Sequence, residues 1–156
     1  RDSARETEDA EALVIDEEGD FSIISENETS LSSLDTSSIA QIISFGPALI
    51  EDGEISVDAS SEVSQSMTSN PRTAIGQISP LHYIIIVSDG RTDESEGFSL
   101  LQLAEEMQNR GAVTAYNLDG GGSSTLYFNG EIINKPTSGN STGEREVSDI
   151  VYIGYE

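Results

Sequence analysis

Residues Asn117–Gly130 read NLDGGGSSTLYFNG, with one aspartate ahead of three consecutive glycines and a Ser-Ser-Thr run of hydroxyl side chains. The strand-like run AVTAYNLD, Ala112–Asp119, leads straight into the glycines. A strand that ends at Asp119 delivers this carboxylate to a connection at the end of a sheet, where functional groups gather. Gly120, Gly121 and Gly122 can turn there with φ > 0, and their N–H groups can form a concave nest for an anion. Ser123, Ser124 and Thr125 add hydroxyl donors. The pattern fits a plain hairpin loop and a phosphate or sugar site about equally well. It is no P-loop, because the lysine of GxxxxGK[ST] is missing, and it lacks the regularly spaced acids of an EF-hand.

Moving outward, STLYFNGEIIN predicts a hairpin turned at Asn129-Gly130, and EVSDIVYIGYE a closing strand. Upstream, SLLQLAEEMQNRG is the clearest helix. Ser99 caps its start, Leu100, Leu103, Ala104 and Met107 share one face, and Gly111 stands where a C-terminal cap is wanted. RTAIGQIS and HYIIIVSD read as paired strands, and the unbroken apolar run Ile84–Val87 predicts burial on both faces. IISFGPALIEDGEISV predicts a hairpin at Asp52-Gly53, and LVIDEEGDFSII two short strands about an Asp-Glu-Glu-Gly turn. Leu31, Leu34 and Ile39 fall at roughly helical spacing. Residues 1–12 form an acidic lead-in, residues 13–156 the domain proper, and residues near 58–70 a polar, mobile loop. The order predicts an α+β fold, a single domain with a mixed β-sheet covered by a few helices.

The net charge is −22, from 29 acids and 7 bases in 156 residues. Residues 1–62 carry 17 of the acids and 2 of the bases. Such a surface repels nucleic acid and anionic membranes, and no apolar run is long enough to enter a bilayer. The acids read as a solvated face or, since Lys135 is the only lysine, as adaptation to salt. There is no cysteine and one histidine, His82, which removes thiol catalysis, disulfides and multi-histidine metal sites. His82, beside Pro80, reads as a surface residue. Chemistry is left to carboxylates, hydroxyls, arginines and backbone.

Cations are scarce, so their places are informative. Arg72 opens a strand in NPRTAIG, Arg91 follows one in SDGR, and Arg145 precedes the last in GEREVSD. Guanidinium groups clamp phosphate with paired hydrogen bonds, although each could instead offset neighbouring carboxylates. Arg110 sits at a helix C-terminus and suits the helix dipole. Asp89 and Asp119 each end a strand ahead of a glycine. Two such carboxylates could divide acid and base roles as in glycoside cleavage, or could simply be turn residues. Asn27-Glu28-Thr29 and Asn140-Ser141-Thr142 match the glycosylation sequon, a frequent chance match.

FGPALIEDGE, NPRTAIGQ, IIIVSDGR, the long block SEGFSLLQLAEEMQNRGAVTAYNLDGGGSSTLYFNGEIINKP and EREVSDIVYIG follow one another here. In that order they resemble the phosphodiester glycosidase domain, the family of the lysosomal uncovering enzyme and of bacterial exopolysaccharide biosynthesis proteins. The resemblance covers roughly Ile42–Ile153, with a looser reach back to Leu13. It implies a hydrolase that cleaves a sugar-1-phosphodiester, such as an N-acetylglucosamine-1-phosphodiester, and releases sugar and phosphomonoester. By motif it implies a catalytic set of Asp119, Asp89 and Arg72, with Asp119 as the principal carboxylate. Thr73, Arg91, Gly120, Gly121, Gly122, Ser123, Ser124, Asn134 and Arg145 would bind substrate, with Pro136 at the rim. Arg72 and Arg91 would hold the phosphate.

The resemblance also implies an upstream Asn-Gly/Ala-Gly-(Phe/Tyr)-Phe element, and none occurs in this sequence. The chain therefore reads as the larger, C-terminal part of such a domain, lacking its N-terminal segment, with an upstream fragment as a candidate partner. The implied substrate is a phosphorylated glycan, and the implied setting is extracellular or the bacterial cell envelope. No resident cofactor or metal is implied; a divalent cation such as calcium is the one candidate. Two rivals stand beside the hydrolase. One is a non-catalytic carbohydrate-binding or assembly domain of the same fold, the other a calcium-stabilised structural domain using Asp119 and the acidic loops.

Overall fold

The computed structural model describes residues 10–57, 69–139 and 141–154. Most of the acidic lead-in and of the polar loop expected near 58–70 lies outside these residues. Strand β1 (Glu11–Asp16) turns through Glu17–Asp20 into β2 (Phe21–Ser25), and β3 (Ile39–Ser44) pairs along the other edge of β1. The turn is built by Asp16, whose Oδ1 accepts the N–H of Glu18 at 2.9 Å and of Asp20 at 2.8 Å. A short carboxylate supplies this local acceptor where the strand ladder stops.

A second sheet has five strands: β4 (Ala48–Glu51), β5 (Glu54–Ile55), β6 (Arg72–Ser79), β7 (His82–Ser88) and β8 (Thr114–Leu118). Their spatial order is β5-β4-β8-β6-β7. The expected mixed sheet is corrected here, because every pairing in both sheets is antiparallel. Asp52-Gly53 makes the β4–β5 turn with φ of 50° and 80°, which matches the right-handed twist of the two strands. Two short ribbons follow β8: β9 (Tyr127–Phe128) with β10 (Glu131–Ile132), and β11 (Thr137–Ser138) with β12 (Ser141–Thr142). The β9–β10 turn is Asn129-Gly130, again with both φ positive.

One α-helix, α1 (Leu100–Asn109), is present among the described residues, where the sequence predicts a few. It is too short to cross a membrane. The spacing near Leu31 yields a three-residue 3-10 turn, Leu31–Ser33, and Ile39 opens β3 instead. The serines around that turn bond to local backbone and to each other, a competitor to helix propagation. In α1, Ser99 accepts the Gln102 N–H while Gln102 reaches back to the Ser99 N–H, a full capping box. Gly111, at φ 87°, closes the other end.

The five-stranded sheet is covered on both faces. Leu100, Leu103, Ala104 and Met107 of α1 pack on Leu49, Ile50, Ala74 and Ala115. Leu49 and Ile50 are neighbours that both face the helix, which a register shift within β4 allows. On the opposite face Leu13 of β1 meets Ala48, Ile75 and Tyr116. Burying each large aliphatic side chain contributes about 1.5–3 kcal/mol. β7 is an outer strand, not a doubly buried one: Ile84 and Ile86 pack toward α1, and Ile85 on the other face is 36% exposed. An apolar run alone cannot show whether a second layer reaches that far. The predicted closing strand is absent too. Residues 143–154 carry no strand, and Val147 and Ile150 to Ile153 are exposed.

Candidate functional site

The ends of β6, β7 and β8 meet at Pro71, and the glycine loop is shaped around it. A Cβ on Gly120 would lie 2.7 Å from the Pro71 carbonyl oxygen, and one on Gly122 would lie 2.8 Å from Cβ of Ser138. Both distances are too short for any side chain, so glycine is required by close approach of the protein's own backbone. Residues Gly121–Ser123 form a 3-10 turn. The Gly121 N–H donates to Pro71 at 2.9 Å, and Ser123 and Ser124 donate to Gly120 and Gly121. The Gly120 N–H donates to Asp119 Oδ1 at 2.8 Å. The amides expected to form an anion nest are thus largely engaged inside the protein.

Asp119 stands at the mouth of this loop, its side chain 48% exposed. Its Oδ2 accepts the Ser123 hydroxyl at 2.8 Å and pairs with the Arg145 guanidinium, which also reaches Ser123 Oγ. Arg145 is anchored in turn, its N–H donating to the Gly122 carbonyl at 2.9 Å. Arg91 also reaches this loop and places a guanidinium nitrogen 3.4 Å from where a Gly121 Cβ would be. The Arg91 side chain is steered there by Asn70, whose Oδ1 takes Nε at 3.1 Å and Nη2 at 2.8 Å. The Asp119 carboxylate is thus paired with one exposed guanidinium, Arg145, and a second, Arg91, stands beside Gly121 of the same loop.

The remaining predicted residues take other places. Arg72 donates from Nε to the Phe98 carbonyl at 3.0 Å, so part of its guanidinium faces the loop ahead of α1. Thr73 reaches the glycine loop through Ser124 Oγ at 3.1 Å, and Ser124 is fully buried. Asp89 Oδ1 accepts Asn134 Nδ2 at 3.0 Å and the Lys135 N–H at 2.8 Å. Asn134 also donates to the Ser124 carbonyl at 2.7 Å and accepts the Leu126 N–H at 2.7 Å. Asp89 and Asn134 together clasp the far end of the glycine loop to the end of β7. Asn70 and Pro71 were not singled out by sequence, although their signal was present in the Asn-Pro-Arg tripeptide before β6. His82 is exposed and distant from this cluster, at the opposite end of β7 from Asp89.

A model of the phosphodiester glycosidase family matches residues 2–154. The chain belongs to this family. A relative by sequence is the SPbeta prophage-derived uncharacterized protein YomE of Bacillus subtilis, 30% identical over 146 residues, or 94% of this chain and 22% of YomE. Mouse and human N-acetylglucosamine-1-phosphodiester alpha-N-acetylglucosaminidase are each 39% identical over 66 residues, 42% of this chain and 13% of those proteins. Among solved structures, the zebrafish N-acetylglucosamine-1-phosphodiester alpha-N-acetylglucosaminidase catalytic domain, auto-inhibited by its pro-peptide, shares the fold with a TM-score of 0.64. It is 24% identical, and the match covers 90% of this chain and 48% of the zebrafish chain. A hypothetical protein from Synechocystis gives a TM-score of 0.54 at 20% identity, over 87% of this chain and 33% of its own. The chain thus spans less than half the length of the relatives it matches.

Carboxylates that could gather a cation lie elsewhere in the phosphodiester glycosidase fold. Asp16, Glu18 and Asp20 bring one oxygen each within 4.8 Å of one another in the β1–β2 turn. That turn is joined to Gln77, near the end of β6 remote from Arg72, by a 2.8 Å bond from Gln77 Nε2 to Asp20. Glu94 pairs with Lys135 beyond Asp89 and raises the lysine's pKa above its usual range.

Proposed function

We propose that the chain hydrolyses a sugar-1-phosphodiester, with Asp119 acting at the anomeric carbon and Arg91 and Arg145 holding the phosphate. The observation that carries this reading is the half-exposed Asp119 carboxylate paired with Arg145 at the glycine loop, with the Arg91 guanidinium beside Gly121 of the same loop. Among the described residues Gly120, Ser123 and Arg145 each donate a hydrogen bond to Asp119, which suits a carboxylate that attacks carbon or takes a proton. A phosphate entering beside Ser123 offers Arg145 a doubly coordinated partner, so the guanidinium turns from Asp119 to substrate as the complex forms. Arg72 and Thr73 complete the wall behind the loop. Asp89 and Asn134 hold the loop in place, and the proposed step uses no metal. The substrate proposed is a phosphorylated glycan of a bacterial envelope or exopolysaccharide, in an extracellular or envelope setting. Its support is the family and the enzymes named for N-acetylglucosamine-1-phosphodiester cleavage among its relatives.

Sugar release from an N-acetylglucosamine-1-phosphodiester tests the reading directly. Asp119→Asn should lower release by about a hundredfold or more, with the melting temperature nearly unchanged. Unaltered turnover in that variant removes Asp119 from the mechanism. Thermal protection by the phosphodiester with no release, from wild-type protein, supports the non-catalytic binding domain instead.

A further inference from the structure

We infer that Asn70 sets the anion affinity of the site: its neutral amide aims the Arg91 guanidinium while leaving the positive charge to a bound phosphate. Resting on the phosphate role proposed for Arg91, this makes Asn70 a positioning residue that acts through that guanidinium. The chain has 29 acids and 7 bases, so an arginine held by something other than a carboxylate stands out. Among the described residues Arg110 pairs with Glu106, Lys135 with Glu94 and Arg145 with Asp119. Arg91 does not follow them. Asp93, Glu94 and Glu96 lie in the loop just after it, yet its Nε and Nη2 both donate to Asn70 Oδ1, at 3.1 Å and 2.8 Å.

Asn70 and Arg91 are each fixed by their backbone surroundings. The Asn70 N–H donates to the Phe98 carbonyl at 3.1 Å, and the Asn70 carbonyl accepts the Phe98 N–H at 3.0 Å. Gly97 fits against this bridge only without a side chain, since its Cβ would lie 2.2 Å from the Asn70 carbonyl oxygen. Arg72 Nε donates to the same Phe98 carbonyl, so one bridge serves both arginines. Arg91 itself has φ 59°, in the left-handed region that a non-glycine residue seldom adopts. The turn after it keeps that conformation. The Thr92 N–H donates to the Ser95 carbonyl at 3.0 Å, and the Ser95 hydroxyl to the Asp89 carbonyl at 2.9 Å. Such strain persists only where the surroundings impose it, and it gathers at ligand clamps. With two of its nitrogens on Asn70, the guanidinium turns Nη1 toward Gly121.

An amide in place of a carboxylate decides what Arg91 can still do. The two side chains have the same shape, and each presents an oxygen to the guanidinium fork. An aspartate would match the charge of Arg91 as well as its geometry, and an incoming phosphate would meet a carboxylate that repels it. An amide fixes direction and leaves the charge unmatched. Arg145 begins paired with Asp119, so Arg91 is the better placed of the two to meet the anion first.

Calorimetric titration with inorganic phosphate, at low and high salt, reads the outcome on wild type, Asn70→Asp, Asn70→Ala and Arg91→Ala. The expected order of affinity is wild type, then Asn70→Ala, then Asn70→Asp. The isosteric change should weaken binding by about tenfold or more, since it brings a like charge to the anion. Truncation removes only a neutral steering bond and should weaken it by about two- to fivefold. Added salt should narrow the gap between wild type and Asn70→Asp, because a charge effect is screened. The melting temperature of Asn70→Asp should stay near that of wild type. A merely structural Asn70 predicts the reverse, truncation worse than the isosteric change and a gap indifferent to salt, and either result overturns the inference. Wild-type affinity in Asn70→Ala also overturns it, whether or not Asn70→Asp folds. Unchanged affinity in Asn70→Asp removes the role of Asn70 and leaves that of Arg91 standing. Unchanged affinity in Arg91→Ala removes the phosphate role of Arg91, and the inference with it.

Discussion

The two faces of the five-stranded sheet are held by different means. Toward α1 the core contact is apolar, Leu100, Leu103, Ala104 and Met107 against Leu49, Ile50, Ala74 and Ala115, with a polar tie at its exposed rim where Gln108 donates to the Gly53 carbonyl at 2.9 Å. Toward the three-stranded sheet the apolar patch is smaller, and polar side chains do part of the joining. The Tyr116 hydroxyl donates to the Glu11 carbonyl at 2.6 Å and accepts the Phe45 N–H at 2.9 Å. Gln77 accepts the Phe21 N–H at 2.8 Å and donates to Asp20. An apolar face tolerates small shifts of one layer over the other. A face tied by buried hydrogen bonds fixes register, and it fails sharply when one partner is removed.

That contrast can be broken from either side. Leu103→Ala should cost the most, about 2–5 kcal/mol, because it opens a cavity under a fully buried residue. Urea unfolding measures it, and a loss below the lower bound would show that α1 settles onto the sheet to fill the space. Tyr116→Phe should cost about 1–3 kcal/mol by leaving the Glu11 carbonyl and Phe45 N–H without their partner.

The same residue supplies a pH signature. Burial, the main cause, pushes the Tyr116 hydroxyl up to about 12 from its usual 10.0. A raised pKa favours the protonated form in the folded state, so this contribution is whole below pH 10 and is lost as pH climbs toward 12. Wild-type stability should fall more steeply across that window than that of Tyr116→Phe, and parallel curves would mean that the hydroxyl is not sealed. Ser99→Ala should be mildest, about 0.5–2 kcal/mol, since it removes one member of a cap at the helix start. A cost as large as that of Leu103→Ala would mean that the cap, not the apolar face, holds α1.

Legibility in the sequence follows the same divide. The helix was readable to its ends, because four apolar residues at helical spacing, a capping serine and a terminal glycine are all local signals. Both Asx-Gly hairpins were readable for the same reason. What joins distant residues was not. Nothing around Gln77 or Tyr116 announces partners some sixty and a hundred residues away. The Ile84–Val87 run looked doubly buried because apolar content records what a strand could bury, not how many layers cover it. At the site, Asp119, Arg91 and Arg145 were named from position alone, and the structure gathers them at one loop. The purpose of the glycines was misjudged: they admit Pro71, Ser138 and Arg145 of the protein itself. Only the pairing of strand ends reveals that.

The strand order carries a consequence for how the chain assembles as it is made. β4–β5 and β6–β7 are local hairpins that can form as soon as their turns exist, but β4 and β6 are never neighbours. The strand between them is β8, the last of the five to be synthesised. Until Leu118 has left the ribosome, the growing chain holds two hairpins and a helix with no centre. Its bare inner edges must wait for that strand while a ribosome adds about 5–20 residues each second. A nascent chain stalled before Thr114 should therefore be a client for chaperones, and one released beyond Leu118 should not.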